Sequence, residues 1–325
     1  MQNYTIRIYT KSEELPVLTS RSFFHSPELF RMIEQTPGLT PYMAVATDTT
    51  ERVHGHLLAM VRRRGSWVPP YIFSQGRIYG EGCYAEDADK DEIFAHLLSA
   101  ITDHLRQRLC LYIEVSDVSR KMFGYRHFRE NAFFPVPWMQ IHNSHHSHPP
   151  EDRIEERSMI RVNKAYATGV DTHTARDEQE VRKFYQLLRR YYRFRYQRFI
   201  PHYAFFRQLA ASKQGRVEIT TYRSKVVGGN VIVQSGDDAY LWFTVSKKKS
   251  HPLLHPDYPT VWHALKSTSD EGRQHLFFMN VGLPYSRNPM REFLLSFGGK
   301  PVSTYRWFRF TPKWLNKLLA WFYRE

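Results

Sequence analysis

The chain repeats its own layout at half its length. A strand-pair signal, PYMAVAT (41–47) followed by RVHGHLLAMVRRR (52–64), returns as GRVEITTYRSKVVGGNVIVQSG (215–236), with Gly55 and Gly228 at the same place in each copy. The first copy continues through the helical segment EIFAHLLSAITDHLRQR (92–108), the strand LCLYIEV (109–115) and the helix-to-strand ending YRHFRENAFFPVPWMQIH. The second runs in the same order through TVWHALKSTSDEGRQH (260–275), LFFMNV (276–281) and REFLLSFGGKPVSTYRWFRF (291–310). An offset of about 165 to 175 residues therefore recurs, and the fold must be one that two similar halves can each adopt.

At 325 residues, and about 150 residues per domain, two domains are expected. Within the first copy Ile93, Leu97, Leu98, Ile101 and Leu105 fall at helical spacing and mark one buried face, while LYIEV and LFFMNV read as interior strands. Each copy reads as helix, strand pair or meander, helix, strand, helix, strand. This is an α/β (α+β) class of fold, a mixed and mostly antiparallel sheet flanked by helices. The apolar periodicity lapses near 142–175, where Pro149 and Pro150 stop any helix, although IEERSMIRVN within it reads as a further strand packed on the first domain.

An antiparallel meander, then a helix, then strands that splay apart to admit a cofactor is the layout of an acetyltransferase-type domain. Two in tandem, with FGGKPVSTYRWF closing the second, resemble the FemAB family of aminoacyl and acyl transferases within the GNAT superfamily, over nearly the whole chain in architecture. The resemblance implies a first GNAT-like domain at 1–150 on the acceptor side and a second at 151–325 on the donor side. It also implies that no single catalytic base need exist, because proton transfer leans on the substrate.

Composition sets the partners. With 42% hydrophobic and 15% aromatic residues the chain has material for packed cores, which excludes disorder and low-complexity readings. No apolar run reaches the roughly 18 residues that span a bilayer, and the opening MQNYTIRIYTKSEELP lacks a signal-peptide core, so a cytoplasmic location is expected. Cys83 and Cys110 are too few for a disulfide scaffold and read as structural thiols. The net charge of +14 calls for anionic company: nucleic acid, phosphorylated cofactors or an acidic membrane surface.

A donor in this fold is held by backbone amides at the N-terminus of the helix after the fourth strand, where the dipole favours a pyrophosphate. In the first copy that loop is YGEGCYAEDADKDE, whose carboxylates repel phosphate. In the second, the strand AYLWFTVS, with Tyr240 and Trp242 as substrate-binding candidates, runs into KKKSHPLLHPDYP. Lys247, Lys248 and Lys249 stand where a phosphate arrives before a helix opening at about Thr260, although the usual glycines are missing. The segment YQLLRRYYRFRYQRF interleaves arginines, Arg193 and Arg195 among them, with aromatics; it suits a nucleotide carrier or single-stranded nucleic acid, or an amphipathic helix with its aromatics inward. The donor stays open between acyl-CoA and charged tRNA, with no tightly bound cofactor.

Amide formation needs a neutral amine, a path for its proton and donors for the developing oxyanion. In MNVGLPYSRNPMREF, Asn280 ends a buried strand and Tyr285 and Arg287 follow on a loop, so Tyr285 is a proton-relay candidate and Asn280 or Arg287 an oxyanion donor. At the matching place in the first copy stand Arg77, Tyr79 and Glu81, with Glu114 and Asp117 ending LYIEVSD; an acidic pair suits an amine-bearing acceptor, a cell-envelope or lipid precursor included, and loop capping is the plainer use. His142, His145, His146 and His148 lack a metal-binding spacing and read as a polar linker. The tail PKWLNKLLAWFYRE is a basic amphipathic helix that either docks on its own domain or rests at the inner face of a membrane. The sequence thus reads as an N-acyltransferase working in a cleft between two GNAT-like domains. Its rivals are a non-catalytic nucleic-acid-binding protein on the same scaffold and a peripheral membrane enzyme acylating a lipid amine.

Overall fold

The computed structural model describes residues 4–65, 71–116, 118, 123–193, 199–248, 250–279 and 281–323. In chain order its elements begin β1 (Thr5–Tyr9), α1 (Pro27–Glu34), β2 (Leu39–Thr47), β3 (Val53–Gly65), β4 (Ile72–Tyr79), β5 (Cys83–Tyr84), α2 (Lys90–Gln107), β6 (Cys110–Ser116), α3 (Tyr125–Glu130) and β7 (Phe134–Ser144). They continue α4 (Glu156–Ala167), β8 (Val170–Thr174), α5 (Glu178–Tyr192), α6 (Tyr203–Ala211), β9 (Gly215–Tyr222), β10 (Lys225–Ser235) and β11 (Asp238–Ser246). The last are α7 (Asp257–Asp270), β12 (His275–Phe278), α8 (Pro289–Leu295), β13 (Lys300–Phe310) and α9 (Lys313–Phe322). Two compact units share them: unit 1 is Met1–Trp138 with Thr304–Glu325, and unit 2 is Met139–Ser303.

This division differs from a break at 150/151 because it falls inside two strands, β7 and β13, so that α9 belongs with unit 1. The polar run at the end of β7 hides the strand from a periodicity reading. Asn143 and Ser144 pair in register with Leu276 and His275 of β12, and Asn143 Nδ2 donates to the Phe297 carbonyl at 2.7 Å. The segment expected to form a strand at IEERSMIRVN is the helix α4 instead. Ser158, Val162 and Ala165 are its buried residues, three to four positions apart, which is helical spacing.

In unit 1, β1, β2, β3 and β4 form an antiparallel series. β6 then adds parallel to β4, and β13 antiparallel to β6. Asp89 caps α2 by accepting from the amides of Asp91 and Glu92. The helix buries Ile93, Phe94, Leu97, Leu98, Ile101 and Leu105 against Leu57, Ala59, Ile78, Ile113 and Val115 of the sheet, each side chain contributing about 1.5–3 kcal/mol. In unit 2, β8, β9, β10 and β11 are antiparallel neighbours. β12 adds parallel to β11, and the end of β7 antiparallel to β12. α7 packs Tyr258, Val261, Trp262, Ala264 and Leu265 with Ile232, Leu241, Leu276 and Phe278.

The repeated glycines do one job in both units. A Cβ on Gly55 of β3 would stand 2.9 Å from Ile93 Cγ2 in the first turn of α2, and one on Gly228 of β10 would stand 2.5 Å from Thr260 Oγ1 in the first turn of α7. Each glycine lets a helix start settle directly on the sheet.

Unit 1 also buries His25 and His56 beside each other. His56 donates from Nε2 to the His25 carbonyl at 3.1 Å, and the Leu58 amide donates to His25 Nδ1 at 3.1 Å. Burial, then the neighbouring His56, pushes His25 down to about 3; burial pushes His56 down to about 4. Both are neutral in the fold, whereas the unfolded chain protonates them below about 6.5. Stability is therefore expected to be full above pH ~6.5 and to fall as the pH drops towards ~4, by about 1.4 kcal/mol per pH unit for each histidine. Urea unfolding of the wild type between pH 7 and 4.5 checks this, and a His25→Gln/His56→Gln variant should lack that component of the slope.

Candidate active site

In unit 2 two parallel strands part company. The β11–β12 ladder runs from Asp238↔His275 to Leu241↔Phe278 and, among the described residues, no further pair follows, while β11 itself continues from Trp242 to Ser246. The departure begins at a bulge: against β10, Val231 pairs with Phe243 and Ile232 with Leu241, leaving Trp242 as the extra residue. Bulges bend a strand and raise its twist. The departing strand is supported from the other side, where Thr244 Oγ1 donates to Asn230 Oδ1 at 2.8 Å and the Tyr192 hydroxyl of α5 donates to the Thr244 carbonyl.

The start of α7 is pinned at this same end of the sheet. Asn230 Nδ2 donates to the Thr260 carbonyl at 2.6 Å, the Thr260 and Thr220 hydroxyls bond at 2.7 Å, and Gly228 lies beneath. The helix opens at Asp257, a turn earlier than Thr260, with no side-chain cap. Asp257 is itself buried there and takes Lys248 Nζ at 2.8 Å. Its Oδ1 has no hydrogen-bond partner among the described residues.

β12 leads into the loop 281–288. Asn288 fastens it by donating to the Val281 carbonyl at 2.7 Å and capping α8 at Met290. Arg291, which the sequence reading did not single out, donates to the carbonyls of Leu283 at 3.0 Å and Ser286 at 2.9 Å. On this stapled loop Tyr285 is 67% exposed, and Arg287 is exposed with Glu292 at 3.8 Å. Lys247 is half-buried, its amide donating to the Val227 carbonyl. Arg193 is exposed at the end of α5. Tyr240 and Trp242 are buried: Tyr240 stacks on Phe277 at 5.1 Å and Trp242 meets Phe205 edge-on at 5.5 Å. Lys249, Arg195, Asn280 and Asp117 lie outside the described residues.

The corresponding strands of unit 1 stay together. β4 and β6 pair through Tyr79↔Ser116, and the Gly80 amide then donates to the Ser116 carbonyl at 2.8 Å. The acidic loop beyond is tied down: Glu81 accepts from Lys90 at 2.6 Å, Glu86 from Arg21 at 2.7 Å, and Asp87 pairs with Arg52 at 2.9 Å. Glu81 is thereby separate from its expected companions, but Arg77, Tyr79 and Glu114 do come together. Arg77 pairs with Glu114 at 3.2 Å, donates to Ser116 Oγ at 3.0 Å and lies over the Tyr79 ring at 4.7 Å.

Three partners in that cluster went unnoticed in the sequence. Arg306 of β13 reaches Glu114 at 3.0 Å, Gln75 donates to it at 3.2 Å, and Arg62 donates to Gln75 Oε1 at 2.8 Å. Alternation along IFSQGRIY would have placed Gln75 on the face of Arg77; Arg306, 192 residues from Glu114, has no local signal. Burial raises the Glu114 pKa, yet Arg77, Arg306 and Arg62 outweigh it and hold the carboxyl below its ordinary value. For Arg77 burial opposes the charge, and Glu114 reverses the sign to a raised pKa.

Glu114→Gln leaves the arginines without their carboxylate and is expected to cost about 3–5 kcal/mol of unfolding free energy at pH 7. Because the folded pKa is depressed, the wild type's advantage is present above the ordinary carboxylate range and shrinks as the pH falls below it. Paired denaturant titrations at pH 7 and pH 3.5 check both the size and the sign.

Residues 155–287 match the Acetyltransferase (GNAT) domain family, a stretch that contains β11, α7, β12 and most of the loop after it. No curated protein matches the sequence. Among solved structures the chain is similar to the crystal structure of FemX, with a TM-score of 0.58 at 10% identity over 89% of this chain and 97% of that one. It is similar to L-PGS from Bacillus licheniformis, at 0.59 and 8% over 92% of each. A third likeness is a tandem GNAT protein from the clavulanic acid biosynthesis pathway, at 0.56 and 12% over 89% and 87%. At these identities the likeness concerns the fold. The matched domain and the shared architecture agree with the duplicated layout: residues 155–287 match the GNAT acetyltransferase family, and the chain has the fold of FemX and of a tandem GNAT protein.

Proposed function

We propose that the chain transfers an activated acyl or aminoacyl group to an amine, with the donor seated in unit 2 where β11 leaves β12 and the acceptor recognised by unit 1. One observation carries this reading. Among the described residues the parallel ladder runs no further than Leu241↔Phe278 in unit 2, whereas in unit 1 it runs through Tyr79↔Ser116. A strand that has left its neighbour offers backbone groups to a ligand, and a closed ladder does not.

In the reaction the neutral amine attacks the donor carbonyl, a C–N bond forms, the bond to the thiolate or ribose oxygen breaks, and the proton lost from the ammonium passes through the Tyr285 hydroxyl, or through solvent, to the departing sulfur or oxygen. Arg287, with Asn280, would steady the oxyanion as it develops. Lys247, Lys248, Lys249, Arg193 and Arg195 would meet donor phosphates, and Tyr240 and Trp242 would wall the acyl group. Glu81 and Asp117 would face the amine of the acceptor, while Arg77 and Glu114, locked to each other, would position Tyr79.

Asp257 bears on the donor. A buried carboxylate in the first turn of α7 repels a pyrophosphate at that helix end, which favours an aminoacyl ester on tRNA, its phosphates spread along exposed basic side chains. Acyl-CoA is the second reading, supported by Lys248, whose ammonium offsets Asp257 at 2.8 Å.

Thermal stability against aminoacyl-tRNA, acetyl-CoA, long-chain acyl-CoA and free CoA at two salt concentrations tests the proposal. A donor at about 100 times its Kd adds roughly 2.7 kcal/mol. Gly228→Ala, which pushes on the first turn of α7, should weaken the donor response about tenfold or more. Gly55→Ala, whose Cβ would stand 2.9 Å from Ile93 in unit 1, should leave that response intact. Tyr285→Phe and Arg287→Ala should each lower turnover about tenfold or more with the melting temperature unchanged, since both side chains are exposed. No stabilisation by any donor, together with no acyl product, would overturn the reading in favour of an inert nucleic-acid-binding scaffold.

A further inference from the structure

The helix α9 is docked on one side and bare on the other. Asn316 anchors it: its Oδ1 accepts from the Phe310 amide at 2.8 Å and its Nδ2 donates to the Ala132 carbonyl at 3.0 Å. Tyr323, at the end of the helix, stacks on Phe134 at 6.2 Å. Leu315, Leu319 and Ala320 lie on the same, half-buried side. The opposite side carries Trp314 at 70% exposure, Leu318, Trp321 and Phe322, all exposed. Lys313 and Lys317, also exposed, sit along one edge of that arc at helical spacing. An expectation of plain docking accounts for only half of this helix.

The sheet register brings more of the same chemistry to this end of unit 1. Phe310 pairs with Tyr112 and the Thr311 amide donates to the Leu111 carbonyl at 2.9 Å, so the chain enters α9 beside the start of β6. There Leu109 is 82% exposed, in a left-handed conformation with φ 54° that a leucine rarely adopts. The pair Ser74↔Cys110 places the start of β4 at the same end, where Tyr71 and Ile72 are exposed. Arg106 and Arg108, exposed at the end of α2, precede Leu109 directly.

Large exposed apolar side chains gathered at one end of a unit mark an interaction surface. Tryptophans beside lysines on a helix held flat are the composition of a helix lying in the interface of a bilayer, and the cations select anionic headgroups. We infer that this end of unit 1 seats on an anionic phospholipid surface, with the outer side of α9 and the Ile72–Leu109 corner in the headgroup region. The inference goes beyond the transfer reaction and does not depend on it.

Co-sedimentation of the full chain with vesicles of phosphatidylcholine alone, and of phosphatidylcholine with phosphatidylglycerol, at low and high salt, tests it. The expected result is binding to the phosphatidylglycerol vesicles that falls with salt, with a blue shift of tryptophan emission. Trp321→Ser/Phe322→Ser should weaken binding about tenfold or more, and Lys313→Glu/Lys317→Glu should erase the preference for the anionic vesicles. Both variants should melt like the wild type and transfer to a water-soluble amine at the wild-type rate, so failure here leaves the transfer reading standing. No sedimentation with any vesicle would overturn the inference. So would a dimer at micromolar concentration that Trp321→Ser/Phe322→Ser abolishes, because the face would then be closed by a second copy of the chain.

Discussion

The first turn of α7 rests on β10 because residue 228 has no side chain. Any Cβ there would press on Thr260, the residue whose carbonyl and hydroxyl tie the helix start to Asn230 and Thr220. On the neighbouring strand, Trp242 is the extra residue of the bulge that β11 makes against β10. Gly55 makes the equivalent contact with Ile93 in unit 1, so the glycine belongs to the repeated layout.

What distinguishes the two units is the fate of the strands next to that helix. In unit 1 they remain paired through Tyr79↔Ser116, and the face of the sheet is closed by a buried carboxylate serving Arg77 and Arg306. Such a cluster is costly to desolvate and more costly to break, which suits a unit that holds its shape. Among the described residues one copy of the duplicated fold therefore carries its parallel pairing further than the other, and the proposed division between donor and acceptor rests on that asymmetry.

Much of this is visible in the sequence for a physical reason: helices on sheets impose periodicity, and both copies impose the same one. The α2 and α7 segments, the interior strands and the paired glycines could be read from spacing alone. The division inside β7 and β13 could not, because His142, Asn143 and Ser144 place polar side chains within a strand and interrupt the apolar pattern. Nor could α4 be told from a strand where Val162 and Ala165 are its few buried apolar residues. The bulge at Trp242 leaves no local mark, and the charge cluster depends on Arg306 arriving from the far end of the chain. The basic run at 247–249 is conspicuous in the sequence, whereas the pairing of Lys248 with Asp257 leaves no local signal there.

Hydrogen exchange, followed by mass spectrometry with and without saturating donor, tests the central assignment most directly. The expected result is slowed exchange at 242–246 and at 257–260 in unit 2, with 74–89 in unit 1 unchanged. Protection confined to the loop 80–89 and the start of α2, with unit 2 unaltered, would contradict the assignment and move the donor to the closed ladder of unit 1.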